Sequence, residues 1–203
     1  MKGLFIKDAA YMMSSRTWVI SVAMMALLAF QGPSFVLCYS AVLAVSMMQS
    51  TFNYDEFEGG MSFLMTLPVT RRAYVRETYA FAAVMCLIMT SSAAVISFIM
   101  QTVTGASADQ GEWPSGLISA LLLSSVSLAV SMPCIIRLGV EKGRMISTAS
   151  MMATFIVMLA IAKVGLLADV DLASFSVIVI AAAAVMLAVS YRISLGLMTR
   201  KEY

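Results

Sequence analysis

Apolar positions fall in six long runs, Thr17 to Phe30, Phe35 to Phe52, Tyr79 to Val103, Leu117 to Ile136, Met145 to Leu167 and Leu172 to Tyr191, divided by short polar stretches. A bilayer core is crossed by about 20 predominantly apolar helical residues, so each run predicts a transmembrane helix, the first a short one. Lipid offers no hydrogen bonds to the backbone, which makes helix the state in which such a run can be buried there. Gln31-Gly32-Pro33-Ser34 is a turn that folds the first two runs into a hairpin. The expected fold is an all-α integral membrane bundle of six transmembrane helices, a single domain over residues 1–203.

Ahead of the first run, residues 1–16 follow a different pattern. Phe5, Ile6, Ala9, Met12 and Met13 are expected on one helical face, with Lys7, Asp8, Ser14 and Ser15 on the other. That pattern predicts an amphipathic interfacial helix lying along the membrane surface. No small-residue cleavage site follows the apolar run after it, so the segment is expected to stay in the mature protein.

Composition sharpens the class. Apolar residues make up 61% of the 203 positions and charged residues 12%, against roughly a quarter charged in soluble domains. Cys38, Cys86 and Cys134 all sit in apolar runs, where cysteine behaves as a small hydrophobe, and are expected to be free thiols. The chain has no histidine and no GxxxxGK[ST] stretch, which removes the commonest general base, the HExxH metal site and a P-loop of its own. No cofactor and no nucleic-acid partner is expected. Gly139 and Gly143 fall in a charged loop rather than in a membrane dimer seam.

Charge also sets an orientation. Lys2, Lys7, Arg16, Arg71, Arg72, Arg76, Arg137, Lys142, Arg144, Arg192, Arg200 and Lys201 fall on one side of a six-span arrangement, twelve of thirteen basic residues. By the positive-inside rule that side is the cytoplasm, and both termini lie there. Only Lys163 approaches the other side, where it can snorkel to the surface or meet Asp169 or Asp171.

The longest polar stretch is residues 53–78. It opens Asn53-Tyr54-Asp55-Glu56, passes through Phe63, Leu64 and Leu67, and ends Pro68-Val69-Thr70-Arg71-Arg72-Ala73-Tyr74. Pro68 and Thr70 suit the start of the third membrane helix, and Phe63, Leu64 and Leu67 give a short preceding helix one apolar face. The stretch fits a solvated loop with basic residues inside, and it fits a docking segment for a soluble partner. In the fourth run, Pro133 fits either a gating hinge or a proline whose freed carbonyl is satisfied by neighbours. Gly116, Ala120, Ser124, Ser127 and Ser131 form a small-residue stripe there, suited to close helix packing or to lining a substrate path.

Residues 53–79 resemble the loop between the second and third helices of ABC-2 type permeases of the small, six-helix kind. Asn53, Tyr54, Asp55, Glu56, Leu67, Pro68, Val69, Arg71, Tyr74, Val75 and Tyr79 carry the likeness. Met1-Lys2-Gly3-Leu4 with Lys7-Asp8, and Ser190, Ser194 and Lys201-Glu202-Tyr203, extend it to both ends. Gly60 and Thr78 depart from the family pattern, which has an aromatic and a lysine there. The resemblance implies that the loop is a coupling helix docking on a separate ABC ATPase subunit, and that the amphipathic start is an interfacial elbow. It also implies a second permease copy or a sister permease, and a bacterial plasma membrane. A small immunity or sensory membrane protein without a transport cycle is the alternative. An intramembrane hydrolase would need a polar catalytic set that the apolar runs lack.

Overall fold

The computed structural model describes residues 2–14, 17–56, 70–104, 112–164 and 172–200, and among them the elements are all helical. They are α1 (Lys2–Ser14), α2 (Thr17–Leu28), α3 (Pro33–Glu56), α4 (Arg71–Thr104), α5 (Glu112–Leu138), α6 (Val140–Val164) and α7 (Leu172–Arg200), with a 3₁₀ turn at Ala29–Gln31. Among the described residues four stretches, Pro33–Asp55, Arg71–Val103, Trp113–Leu138 and Ser176–Thr199, are long and apolar enough to cross a membrane. Trp18–Gln31 is a shorter apolar helix. The fifth run appears as α6, of 25 residues, and residues 165–171 lie outside the described ones.

The helices run past the limits of the apolar runs. The 34 residues of α4 extend for about 50 Å at 1.5 Å each, well beyond the hydrocarbon core. Its first turns therefore carry Arg71, Arg72 and Arg76 past the lipid. Thr70 starts it: its Oγ1 accepts the Ala73 N–H at 3.2 Å, a hydroxyl cap on a donor the helix leaves free. At the other end of the first hairpin, Gly32 takes φ 120° and Pro33 opens α3, where a missing N–H costs nothing. Residues 137–144, expected as a loop, are helical save Gly139, whose φ of 82° makes the reversal between α5 and α6 in one residue. Gly143 lies in α6, where a Cβ would come within 2.7 Å of the Ile135 backbone, so the glycine permits that close crossing.

At the centre of the bundle α5 packs along α3, α6 and α7, while α4 lies on α3 and touches α5 only lightly. One buried cluster gathers Val45, Met48, Phe52, Tyr74, Val75, Leu128, Met132 and Met198. A second, rich in methionine, holds Met12, Met25, Leu37, Met47, Phe81, Met85 and Met89. Lipid tails are as apolar as these side chains, so the gain on packing is van der Waals fit rather than escape from water. The outer surface is apolar too: Leu87 is 72% exposed, Val103 76% and Val177 66%, as a lipid-facing surface should be. Gln49 in α3 donates to Ser147 Oγ of α6 at 2.6 Å, and Cys38, Cys86 and Cys134 are free thiols.

The first helix departs from its expected faces. Ile6 is 64% exposed while Asp8 is 6% exposed, so the two exchange sides. The inward face is buried Asp8 and Met12 with half-buried Phe5 and Ala9, spaced three and four apart, and it meets α3 and α4 instead of lying with a wholly apolar face against lipid. The reason is an ionic contact made by its charged pair.

Candidate functional site

The ends of α3 and α4 border residues 57–69, and α1 lies against both of them. Phe5 sets its ring edge-on to Phe81 at 5.4 Å, and Tyr11 lies over Tyr54 at 4.7 Å. These contacts deliver Lys7 to Asp55, in the last turn of α3. Lys7 Nζ donates to Asp55 Oδ1 and sits 3.2 Å from Asp8 Oδ1. The Tyr74 hydroxyl, one turn into α4, donates to Asp55 Oδ2 at 3.1 Å. Each Asp55 oxygen thus has a donor, one from α1 and one from α4, and the carboxylate joins three helices.

The surroundings set the charges. Burial alone would lower the Lys7 ammonium, but its hydrogen bond and attraction to Asp55, with Asp8 adding to both, hold it above its usual 10.5. Asp8 goes up from 3.8, chiefly through burial, with the neighbouring Lys7 charge opposing. One turn beyond Tyr74, Glu77 is 5% exposed, and neither of its carboxyl oxygens has a hydrogen-bond partner. Arg71 Nη1 donates to the Thr199 carbonyl at 3.1 Å and to that of Met198 at 3.4 Å, a cation on the last carbonyls of a helix. The start of α4 is thereby tied to the end of α7.

A second network lies two turns further along α4. The Tyr79 hydroxyl is 2.6 Å from Ser190 Oγ and 2.9 Å from Ser194 Oγ, and Ser190 donates to the Ala129 carbonyl at 2.8 Å. Each hydroxyl has one proton. With Ser190 committed to Ala129, Tyr79 donates to Ser190 and Ser194 donates to Tyr79. The chain ends on the carbonyl four residues before Pro133, which lacks the N–H that would have bonded it. Pro133 therefore sits in an unbroken α5, its freed carbonyl satisfied from α7.

The expected site residues separate accordingly. Asn53, Tyr54 and Arg72 are exposed, whereas Asp55 and Tyr74 are buried and Arg71 turns to α7. The Glu56 side chain and Phe63, Leu64, Leu67 and Pro68 lie outside the described residues. Ser127 and Ser131 are buried in packing, and the Ser127 hydroxyl has no partner. Gly116 shows how tight that seam is, with a Cβ there falling 2.8 Å from Leu37 Cδ1. Ser124 borders a cavity with Ser125. Lys163 is in α6, but its side chain is outside the described residues. The expected site omits Lys7, Asp8, Glu77, Tyr79, Ser190 and Ser194. A signal existed for some of them: charged residues beside apolar runs are costly and need partners.

Long apolar helices with lipid-facing exteriors, stitched by polar groups at one end, define a multi-pass helical membrane protein. Over residues 3–199 the chain matches the family described as ABC-2 family transporter protein, and it belongs to that family. It is thus an ABC-2 type membrane permease, the transport component rather than a catalyst. No curated protein and no solved structure matches the chain.

Proposed function

We propose that the chain is the membrane subunit of an ATP-driven exporter in a bacterial plasma membrane, with both termini cytoplasmic and a separate ABC ATPase supplying the energy. It works with a second copy of itself or a sister permease. The observation that carries this reading is the Lys7–Asp55–Tyr74 contact, which joins α1, α3 and α4 at the two helix ends that border residues 57–69. A force applied there displaces three helices together.

Exposed Asn53, Tyr54 and Arg72 supply the docking surface with Glu56, Phe63, Leu64, Leu67 and Pro68, while Asp55, Arg71 and Tyr74 pass the movement inward. Arg71 takes it to α7, and Tyr79 takes it through Ser190 to the Pro133 turn of α5. Closure of the ATPase then becomes a rigid-body shift that switches access between the two membrane faces. The concentration of basic residues on this side supports its placement in the cytoplasm.

Co-purification of the full chain with the ABC ATPase co-expressed with it, followed by ATP hydrolysis, tests the reading. Asn53→Ala with Arg72→Glu, both at exposed positions, is expected to insert and melt as wild type yet lose association. Hydrolysis that is the same with and without the wild-type chain would favour a binding protein with no transport cycle. A reporter fused after residue 203 is expected to be active only inside the cell.

A further inference from the structure

Three carboxyl groups and one ammonium meet where α1 lies on α3 and α4, and their charges do not balance. Lys7 is shared between Asp55 and Asp8, and the Tyr74 hydroxyl is spent on Asp55. That leaves Glu77, which is 5% exposed and whose two carboxyl oxygens have no hydrogen-bond partner. Tyr74, Glu77 and Phe81 follow one stripe of α4, three and four residues apart. Tyr74 reaches Asp55, and Phe81 meets Phe5 of α1 at 5.4 Å, so the carboxyl between them faces the α1 junction. After burial itself, Asp8 acts most strongly on its charge, followed by Lys7, Asp55 and, least, the chain's amino group.

The neighbouring elements do not supply the missing charge. Helix α2 has no ionisable side chain, α7 meets α4 on other sides of the helix, at Arg71 and Tyr79, and Arg76, next to Glu77 in sequence, is exposed. Among the described residues no group of three acidic, histidine or cysteine side chains could hold a metal ion. A carboxylate buried beside like charges is relieved by a proton, which removes both the desolvated charge and the repulsion. Glu77 precedes the apolar run that starts at Tyr79, so water can deliver that proton from the same side as the docking surface. From the orphaned carboxyl at this junction we infer that Glu77 is a proton-binding site. Docking of α1 takes one proton from water onto the Glu77 carboxylate, and lifting α1 away hydrates the acid and returns the proton. The junction is therefore tight while Glu77 is the acid and loosens as rising pH ionises it. The site needs no ATPase and stands apart from the transport reading.

The test uses the full chain, with Cys38, Cys86 and Cys134 replaced by alanine, in phosphatidylcholine nanodiscs whose two faces both meet the buffer. A single cysteine replaces either Met12, buried on the inward face of α1, or Ile6, exposed on its other side, and modification by a soluble thiol reagent is timed. The Met12→Cys rate divided by the Ile6→Cys rate, which corrects for titration of the thiol itself, is expected to rise several-fold from mildly acidic to mildly alkaline pH. With Glu77→Gln the ratio should stay low throughout. The native chain gives a second readout that needs no cysteine variant: its infrared spectrum at neutral pH should contain a carboxylic-acid C=O band that Glu77→Gln removes. A ratio that is independent of pH, or that rises equally with Glu77→Gln, overturns the inference, as does an infrared band that Glu77→Gln leaves unchanged. Loss of the pH response in Asp8→Asn but not in Glu77→Gln assigns the proton to Asp8 and overturns it as well. So does protection of Met12→Cys by added Ca²⁺ or Na⁺ at a fixed alkaline pH, which would make the ligand a metal ion.

Discussion

Ser190 on α7 donates to the carbonyl of Ala129 on α5 at 2.8 Å, the acceptor that Pro133, four residues on, leaves without its helical donor. The proline and the serine therefore belong to one arrangement on two helices. Ser190→Ala is expected to lower stability by about 0.6 kcal/mol, and by no more than about 1.7, the range for hydrogen bonds between membrane helices. In a Pro133→Ala background the restored N–H satisfies Ala129, and the same substitution should cost less. Melting of the four proteins in detergent gives the coupling energy, and equal costs in the two backgrounds would mean that Ser190 does not serve the Pro133 gap.

Glycine substitutions should separate two kinds of close contact. At Gly143 a methyl group would meet Ile135 Cα at 2.7 Å and its backbone N at 2.9 Å, whereas at Gly116 the nearest atom is Leu37 Cδ1, the end of a side chain, at 2.8 Å, with the Ser34 Cα further off at 3.0 Å. Gly143→Ala is expected to cost about 1–3 kcal/mol by overpacking and Gly116→Ala less, with Gly196→Ala, which meets nothing within 4 Å, as the control. Thermal melts that rank Gly116 above Gly143 would contradict the tight α5–α6 crossing.

The ionic cluster predicts opposite pH signatures for two adjacent residues. Lys7 is held above 10.5 in the folded protein, so its stabilisation is complete below that value and disappears as pH rises through the folded value. Lys7→Met should lower the melting temperature at neutral pH, with the gap closing in strong alkali. Asp8 is raised above 3.8 by burial, so its ionised form costs the fold stability at neutral pH, and the cost fades as pH falls through the folded value. Asp8→Asn should therefore melt higher than wild type at neutral pH and show no advantage below pH 3.8. A neutral-pH loss from Asp8→Asn would mean that the Lys7 contact outweighs the burial of Asp8.

Helix positions are legible in the apolar runs because a membrane span must be both long and apolar, and four of them appear as candidate spans. Their ends are less legible: α3, α4 and α7 continue into polar sequence at Glu56, Arg71 and Arg200, where packing and caps rather than lipid decide. Gly32 and Pro33 announce the first turn through backbone chemistry that is local to two residues. The faces of α1 are misread because Asp8 looks like a solvated charge, and only the approach of Lys7 to Asp55, 48 positions apart, shows why it is buried. For the same reason Asp55 reads as an exposed docking acid, whereas its two oxygens bind Lys7 and Tyr74. Tyr79, Ser190 and Ser194 stand out in the family resemblance, but their shared network depends on the register of α4 against α7.

Glu77 offers a further check, since a carboxylate buried without a hydrogen bond destabilises the fold. Glu77→Gln keeps the shape and removes the charge, and it is expected to melt at or above the wild-type temperature, whereas most buried substitutions melt lower. A clear loss of stability would show that the charge itself is used, and intrinsic fluorescence of Trp18 and Trp113 during heating reports either result.

The proposal that ATP hydrolysis enters through the exposed ends of α3 and α4 is tested most directly by site-specific cross-linking. In a full chain with Cys38, Cys86 and Cys134 replaced by alanine, single cysteines are placed at Tyr54, at Arg72 and, as the lipid-facing control, at Val185. With the ATPase co-expressed and a short bifunctional thiol–amine reagent added, the account predicts ATPase adducts at positions 54 and 72 and none at 185. Absence of adducts at both 54 and 72 in membranes where the two proteins co-purify, or equal adducts at 185, would contradict it.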